Sequence, residues 1–274
     1  MSTSVSIGAP HDSRMKSWTR AFYIAGIPSV LGMLDTAYAD VTGADARRVD
    51  VRWHGSLALS SDYIQQGLSQ TLGEPALQGG LNAGIGEQWS VGAWASTIDR
   101  YETAGTDMRG GNLEIDLFAA RAWKISPEWI ASLTATHYFY PDDSLPVRYD
   151  YDEIAASLGY RSTWFATVAW SPNYSDASYR GVAEDKSALS YELSANQPIH
   201  GRWSSNIGVG YRDLGELFDE QYWYGHAGLM LAARRLTLHL TYTYVDASAR
   251  RLFGHERASN TWSGTLIWRF GAIE

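Results

Sequence analysis

The sequence has 274 residues but no cysteine, and only eight prolines. Without cysteine, the chain has no disulfide, no thiolate zinc site and no cysteine nucleophile. Positive charge is also scarce, since 22 Lys and Arg stand against 30 Asp and Glu, for a formal net charge of −8. An acidic balance argues against a general nucleic-acid-binding protein. The mean hydropathy of −0.26 excludes a bundle of transmembrane helices, because each helix needs an apolar run of about 20 residues.

Aromatic residues and glycine are abundant instead. The chain contains 12 Trp, 17 Tyr and 26 Gly, and aromatic residues make up 13% of it. Low charge together with many aromatic residues argues against disorder. These numbers favour a folded, all-β chain whose aromatic residues are too many for an ordinary core.

The first 39 residues differ from the rest and resemble an export signal. A basic patch of Arg14, Lys16 and Arg20 precedes the apolar stretch 21–34, and the small-x-small pattern 37–39 follows. This order is typical of a secretory signal peptide, and the apolar stretch is too short for a transmembrane helix. We therefore predict a signal peptide over 1–39, a periplasmic lead over 40–51 and a transmembrane β-barrel domain over 52–274. The alternative for the apolar stretch is a buried core helix.

From residue 52 onward, apolar residues alternate with polar ones. Trp262, Leu266 and Trp268, for example, share one parity, while Ser263 and Thr265 share the other. A period of two places the two sets on opposite faces of a strand. The pattern predicts twelve strands, over 52–62, 77–86, 89–98, 112–124, 128–140, 150–161, 163–172, 187–197, 202–212, 221–233, 235–246 and 259–270. Soluble proteins typically have strands of about 5–6 residues, whereas a tilted strand that crosses a bilayer needs about 9–11.

The connections between these strands alternate between short turns and long loops. Long connections are expected at 63–76, 99–111, 141–149, 173–186, 213–220 and 247–258. This alternation is typical of a transmembrane, antiparallel, up-and-down β-barrel, here of about 12 strands, in the bacterial outer membrane. An even number of strands places both termini on the short-turn, periplasmic side. A soluble sandwich or lipocalin-like barrel is the alternative.

The aromatic residues sort by strand end, which predicts two girdles at the membrane surfaces. Tryptophans fall at the short-turn ends, namely Trp53, Trp89, Trp123, Trp129, Trp164, Trp203 and Trp268. Tyrosines fall at the long-loop ends, namely Tyr140, Tyr211, Tyr222, Tyr242 and Tyr244. The alternative is that Trp and Tyr are simply good strand formers.

Polar residues of the other parity are expected to line a lumen. They are Arg52, His54, Glu114, Asp116, Glu153, Arg161, Glu192, Asn206, His239 and Arg269. Inward carboxylates would favour cations in a narrow channel. Alternatively, the carboxylates pair with Arg52, Arg161 and Arg269 and only stabilise the lumen.

The segment SDYIQQGLSQT at 61–71, followed by PALQGGL at 75–81, resembles the TorF-type porins. The matching positions are Ser61, Asp62, Tyr63, Gly67, Ser69, Gln70, Pro75, Gln78, Gly79 and Gly80. Weaker similarities lie at 113–118, where Phe118 replaces a tyrosine, and at 138–141 and 151–153. The resemblance covers about residues 52–165 by motif and implies an outer-membrane barrel with a channel role. It supplies no catalytic residues.

Other chemistry is weakly indicated. The histidines have no metal-ligand spacing, and no phosphate loop, dinucleotide fingerprint or nucleophile elbow occurs, so no cofactor is expected. An acidic loop around Asp142 and Asp143 could hold a divalent cation, although a solvated loop is the simpler interpretation. A lipid-acting enzyme would need a serine near His137, for which Ser96 and Ser132 are distant candidates.

The sequence thus favours a non-enzymatic outer-membrane channel for passive diffusion of small hydrophilic solutes, with a preference for cations. A non-conducting structural or surface-binding barrel is the alternative, followed by an outer-membrane lipid-acting enzyme. The expected partners are outer-membrane lipids and lipopolysaccharide, the barrel-assembly machinery and small hydrophilic solutes, without nucleic acid. The last strand ends at Phe270, an aromatic position typical of an assembly signal, but four more residues follow.

Overall fold

A computed structural model of the chain describes residues 50–99, 112–141, 150–174 and 186–271. The predicted signal peptide, most of the predicted lead, the acidic residues Asp142 and Asp143 and the last three residues lie outside this range. In the described part, strands dominate, and twelve of them form one closed antiparallel barrel. This confirms the all-β, twelve-strand, up-and-down architecture.

Every predicted strand is present, with ends shifted by a few residues at most. The barrel strands are β1 (Val51–Ser60), β4 (Ala76–Ile85), β5 (Trp89–Thr97), β6 (Leu113–Lys124), β7 (Trp129–Phe139), β8 (Tyr151–Tyr160), β9 (Trp164–Tyr174), β10 (Lys186–His200), β11 (Trp203–Asp213), β12 (Gln221–Ala233), β13 (Leu236–Val245) and β14 (Thr261–Gly271). Strands that follow one another in the sequence are neighbours in the barrel, and β1 pairs with β14 to close it. We call the end with the short connections the turn end, and the other the loop end.

The turn between β8 and β9 shows how tightly the turn end is built. Arg161 and Ser162 have φ values of 50° and 53°, and the amide of Thr163 donates to the carbonyl of Tyr160 at 3.0 Å. Two successive residues with positive φ define the type I′ turn that matches the twist of a hairpin. Strand β8 therefore ends at Tyr160, and the exposed guanidinium of Arg161 lies 5.1 Å from the Tyr160 ring centre. The expectation that Arg161 lines the lumen is wrong.

The loop end contains three elements that the alternation pattern did not reveal. A two-stranded hairpin, β2 (Ile64–Gln65) with β3 (Leu68–Ser69), lies between β1 and β4. Helices α1 (Gly215–Phe218) and α2 (Ala247–Arg257) occupy two connections that were expected to be loops. Asp246 caps α2 by accepting from the amide of Ala249 at 3.0 Å, which satisfies one of the free amides of the first turn. Among the described residues, no helix is long and apolar enough to cross a membrane.

The two faces of the barrel wall have opposite polarity. Along β7, Ser132, Thr134 and Thr136 point inward and are buried, whereas Leu133 and His137 point outward and are exposed. The same alternation recurs around the barrel, with the exposed outer face carrying Leu57, Leu59, Leu77, Leu81, Leu117, Leu158, Val168, Leu193, Ile207, Val209, Leu229, Leu236, Leu238, Leu240 and Leu266. Water-soluble proteins have the reverse arrangement, so this wall is built with its apolar side outward.

Candidate functional site

The connection between β1 and β4, residues 61–75, folds into the loop end of the barrel, and we call it the inner loop. Its residues Tyr63, Leu68 and Thr71 are buried. Hydrogen bonds tie it to opposite sides of the wall: the Tyr63 hydroxyl donates to Glu114 Oε1 on β6 at 2.9 Å, and Gln66 Nε2 donates to Ser190 Oγ on β10 at 3.3 Å. The Tyr222 hydroxyl, on β12, also donates to the Gln66 carbonyl at 3.1 Å. The inner loop therefore spans the lumen.

The family-like motif holds the inner loop in shape. Asp62 Oδ1 accepts from Ser69 Oγ at 2.6 Å and from Thr71 Oγ1 at 3.0 Å. Thr71 Oγ1 in turn accepts from the amide of Tyr63 at 3.1 Å, while the amide of Gln70 donates to the Tyr63 carbonyl at 2.7 Å. A charged carboxylate that accepts two hydroxyl protons forms stronger hydrogen bonds than a neutral group. The motif residues thus build a folded insert rather than an open surface loop.

Gly67 is required at the tip of this insert. Its φ is +83°, and a Cβ there would lie 2.6 Å from Tyr224 Cβ and 2.8 Å from Val245 Cγ1. A larger residue would therefore be strained in its backbone and would collide with the wall. Glycine lets the inner loop lie directly against β12 and β13.

Other motif residues secure the base of the insert. Ser61 lies at the barrel seam, where its amide donates to the Gly264 carbonyl at 2.8 Å and its Oγ accepts from the Gly264 amide at 2.9 Å. Gln78 Nε2 donates to Ser96 Oγ at 3.3 Å on the inner face of β4 and β5. The exposed Pro75 precedes β4, and Gly79 and Gly80 lie within it.

Three carboxylates lie beneath the inner loop, and we call Glu114, Asp116 and Glu153 the carboxylate cluster. Tyrosine hydroxyls surround it: Tyr140 donates to Glu114 Oε2 at 3.3 Å and Tyr138 donates to Glu153 Oε1 at 3.4 Å. Asp116 Oδ1 has no hydrogen-bond partner among the described residues. Each member of the carboxylate cluster exposes at most 4% of its surface. These carboxyl groups therefore lie in the interior of the barrel and not at its rim.

Burial raises the pKa of Tyr63 well above its ordinary value, and the charges of Glu114 and Asp116 raise it further. The hydroxyl therefore stays protonated and continues to donate to Glu114 over the physiological range. Because the inner loop carries this donor, its position is coupled to the carboxylate cluster.

Arg212 on β11 supplies positive charge to this end of the lumen. It is 3% exposed, its guanidinium lies 4.5 Å from the Tyr174 ring centre, and its charge acts on Glu153. Sequence reasoning did not select Arg212, although it shares the inward parity of Asn206 on the same strand.

Two aromatic clusters close the loop end around the insert. One contains Tyr63, Trp94, Tyr138, Tyr140 and Tyr151, and the rings of Tyr138 and Tyr151 stack at 4.3 Å. The other contains Leu68, Leu214, Tyr222, Tyr224 and Val245, with Phe253 of α2 packed against it. Since Tyr63 belongs to the first cluster and Leu68 to the second, the inner loop joins both into one packed layer.

The predicted lumen residues other than Arg161 lie on the side of each strand that faces the lumen. Glu114, Asp116, Glu153, Glu192, Asn206 and His239 are buried, while Arg52, His54 and Arg269 are partly exposed near the turn end. Arg52 contacts Asp50 at 3.4 Å, and Arg269 donates to Thr237 Oγ1 at 2.9 Å. Arg52 lies at the opposite end of the barrel from Glu114, so these two residues do not pair.

The aromatic belts differ in part from expectation. At the turn end, Trp53, Trp89, Trp129, Trp164, Trp203 and Trp268 are exposed on the outer face, and Trp123 is half-buried beneath Arg121. At the loop end, Tyr211, Tyr242 and Tyr244 also face outward, together with Trp170, Trp223 and Trp262. Tyr140 and Tyr222 face inward and are buried, so their assignment to an outer girdle is wrong.

Arg121 is a charged residue on the outer face, close to the turn end. Its guanidinium lies 5.1 Å from the ring centres of both Trp89 and Trp123 and donates to Gln88 Oε1 at 3.2 Å. The register of β6 with both neighbours is regular at this point. Its charge is directed toward the polar turn.

The residues considered for lipid hydrolysis do not meet. Ser96 and Ser132 point inward, whereas His137 points outward and contacts Asp152 at 2.8 Å. Within the described ranges, no group of three or more His, Asp or Glu side chains could hold a metal ion. The chemistry that these residues offer is therefore hydrogen bonding and charge along an inner wall.

Comparisons with known proteins agree with this architecture. The sequence model of a family described as "Bacterial protein of unknown function (Gcw_chp)" matches residues 48–269. Among solved structures, a NanC porin aligns with a TM-score of 0.51 and 9% identity, covering 81% of this chain and 100% of the other. An outer membrane channel from Pseudomonas putida F1 aligns with a TM-score of 0.45 and 10% identity, covering 85% and 100%. No curated protein sequence matches the chain.

Proposed function

The chain belongs to the bacterial family of unknown function Gcw_chp, and we propose that it is an outer-membrane channel for passive diffusion of small hydrophilic solutes. The observation that carries this proposal is the reversed polarity of a closed barrel, apolar outside and polar inside. Exposing a leucine side chain to water forgoes about 1.5–3 kcal/mol relative to burial, and many leucines line the outer face. A surrounding hydrocarbon layer would recover this energy.

The belts support the same placement. Exposed aromatic rings at both ends of the strands match the two water–lipid interfaces of an outer-membrane barrel. With the short connections on the periplasmic side, β1 would begin and β14 would end in the periplasm. Lipids and lipopolysaccharide would contact the belts, and the barrel-assembly machinery would insert the protein. The motif similarity to TorF-type porins also supports a channel role.

Polar groups inside the lumen support a hydrated passage. Glu192 Oε1, His226 Nε2 and the side-chain amide of Asn206 have no hydrogen-bond partner among the described residues. A buried polar group without a partner costs about 1–3 kcal/mol, so water or solute is needed beside these atoms. We therefore infer that the lumen beside these atoms holds water.

A preference for cations follows from the charges of the lumen. When ionised, the carboxylate cluster and Glu192 would supply negative charge along the inner wall, and Arg212 would offset part of it. Rings of carboxylates favour cations over anions. The inner loop, which reaches across the loop end, supports the proposal that the loop end is the narrow part of the passage.

Purified protein in planar bilayers tests the proposal. We expect discrete single-channel currents and a reversal potential on the cation-selective side in a potassium chloride gradient. Heat-modifiable gel mobility verifies that the barrel is intact. An intact barrel that carries no current in any recording would overturn the channel function.

The inner loop favours a second candidate function, a non-conducting structural or surface-binding barrel. Its residues Tyr63 and Leu68 join the packed layer at the loop end. Under this alternative, the intact protein conducts no ions, and weakening the inner loop creates conductance where none existed. Under the channel function, the unmodified protein already conducts.

A further inference from the structure

Four inward side chains on three consecutive strands form what we call the polar column: Glu192, Asn196, Asn206 and His226. Asn196 on β10 pairs in register with Asn206 on β11, and Gly208 on β11 pairs with His226 on β12. Glu192 lies four residues from Asn196 on the same face of β10. At a rise of about 3.3 Å per residue, the column extends for about 13 Å along the wall.

Each side chain of the polar column is more than nine-tenths buried and carries a polar atom with no hydrogen-bond partner among the described residues. The atoms are Glu192 Oε1, Asn196 Nδ2, Asn206 Nδ2, Asn206 Oδ1 and His226 Nε2. Buried polar groups in native proteins nearly always have partners, so such a concentration needs an explanation.

Two pairs of hydroxyls on the inner wall show a different arrangement. Ser157 and Thr167, two strands and one strand away from β10, bond to each other at 2.9 Å. Across the seam, Ser60 and Thr265 bond to each other at 2.8 Å. The hydroxyls of these two pairs thus satisfy each other, whereas every side chain of the polar column keeps a buried polar atom with no hydrogen-bond partner among the described residues.

Two glycines beside the polar column make room for its side chains. A Cβ on Gly208 would lie 2.3 Å from the His226 ring, and a Cβ on Gly228 would lie 2.5 Å from Asn206 Oδ1. The imidazole and the amide therefore lie flat over bare backbone. This arrangement holds both side chains against the wall.

We propose that the polar column is a binding site for a neutral, polyhydroxylated solute, such as a sugar, within the lumen. The inference deepens the proposed channel function and rests on it. A sugar hydroxyl both donates and accepts, which matches a wall that offers a carboxylate acceptor, amide donors, an amide acceptor and an imidazole. Glu192 would repel an anion, and the amide donors would remain unsatisfied by a cation.

Sucrose block of single-channel current tests the site. Polyethylene glycol of the same hydrodynamic size controls for simple exclusion of ions by volume. We expect sucrose to reduce the current more than the polymer does and with saturation. Asn206→Leu, of similar volume but apolar, should weaken the block about three- to tenfold, because each hydrogen bond contributes about 0.5–1.5 kcal/mol.

Thr134→Val is the matched control. Thr134 is buried on the inner face of β7, away from the polar column, and valine keeps its shape. This variant should retain the full sucrose block. Equal effects of sucrose and polymer on wild type, or equal block in Asn206→Leu and Thr134→Val, would overturn the site. Saturating block by choline instead of sucrose would overturn the assignment to neutral solutes.

A second measurement separates this inference from the channel function. Saturation-transfer NMR detects weak contact between sucrose and the detergent-solubilised barrel without any current. Sucrose contact that Asn206→Leu reduces, in a barrel that does not conduct, would support the site and overturn the channel. Conductance without sucrose contact would overturn the site alone. Gel mobility of each variant verifies that it folds.

Discussion

Tyr63 and Glu114 meet inside the barrel, where the hydroxyl of the first donates to Oε1 of the second at 2.9 Å. Tyr63 belongs to the inner loop, whereas Glu114 belongs to strand β6. Their contact therefore fixes how far the insert reaches into the lumen. This hydrogen bond links the position of the inner loop to the carboxylate cluster.

Removing this hydroxyl should loosen the inner loop. In Tyr63→Phe, Glu114 Oε1 loses a donor in a buried setting, which costs about 1–3 kcal/mol. We expect larger or more frequent open events in single-channel recordings. Tyr160→Phe, at the turn end on the opposite side of the bilayer, should leave the recordings unchanged. Identical recordings for Tyr63→Phe and wild type would show that the contact does not restrict the passage.

Alanine variants of Gly67 and Gly73 together test how closely the tip of the inner loop packs against the wall. Their φ values are +83° and +85°, but a Cβ on Gly67 would meet Tyr224 and Val245, whereas one on Gly73 would meet nothing within 4 Å. Both alanine variants carry similar backbone strain, of order 1 kcal/mol. Only Gly67→Ala adds a collision, so we expect its heat-modifiability transition to fall further than that of Gly73→Ala. Equal transitions would contradict close packing of the insert.

Neutralising inner carboxylates should reduce cation selectivity. Glu114→Gln and Glu192→Gln each remove one negative charge from the wall without changing shape. A unit charge about 10 Å from an ion in water attracts a cation and repels an anion by roughly 0.4 kcal/mol each, so the ratio of cation to anion permeability should fall about fourfold per variant. Glu128→Gln, in the exposed turn before β7, is the control. A reversal potential that neither inner variant shifts would show that these groups do not set selectivity.

Tryptophan fluorescence should locate the belts. Of the eleven tryptophans in the described ranges, only Trp94 is fully buried inside, and the others lie on the outer face near the two ends. Lipids with bromine near the headgroup should therefore quench the emission more than lipids with bromine at the chain ends. Stronger quenching from the bilayer centre, or none from either lipid, would contradict the belt positions.

The barrel was predictable because its signal repeats. Alternation over twelve segments identified every barrel strand, since a wall with one apolar and one polar face imposes a period of two. Helix α2 gave no such signal, because it is a single short element that packs Ala249, Leu252 and Phe253 into the loop-end layer. The one local sequence signal for α2 is Asp246 at its N-cap, but aspartate is also common in turns.

The interior was predicted less well than the wall. Sorting tyrosines by strand end placed Tyr140 and Tyr222 in a girdle, although Tyr140 shares parity with Thr134 and Tyr222 with His226, both inward. Sorting residues by the face of the strand that they occupy would have corrected the assignment of these two tyrosines and would also have identified Arg212 as an inward residue. The inner loop was not predictable from period, since its fold depends on contacts such as Gln66 with Ser190, which are 124 positions apart.

The seam between β1 and β14 has a consequence for the order of folding. Its register joins Ser60 to Thr265 and His54 to Gly271. The barrel can therefore close only after β14, the last strand, has been synthesised and exported. Until then β1 and β13 each present an unpaired edge, which is a template for pairing with other chains. Ser61, the first motif residue, bonds to Gly264 at this seam, so correct closure and placement of the insert would be completed together.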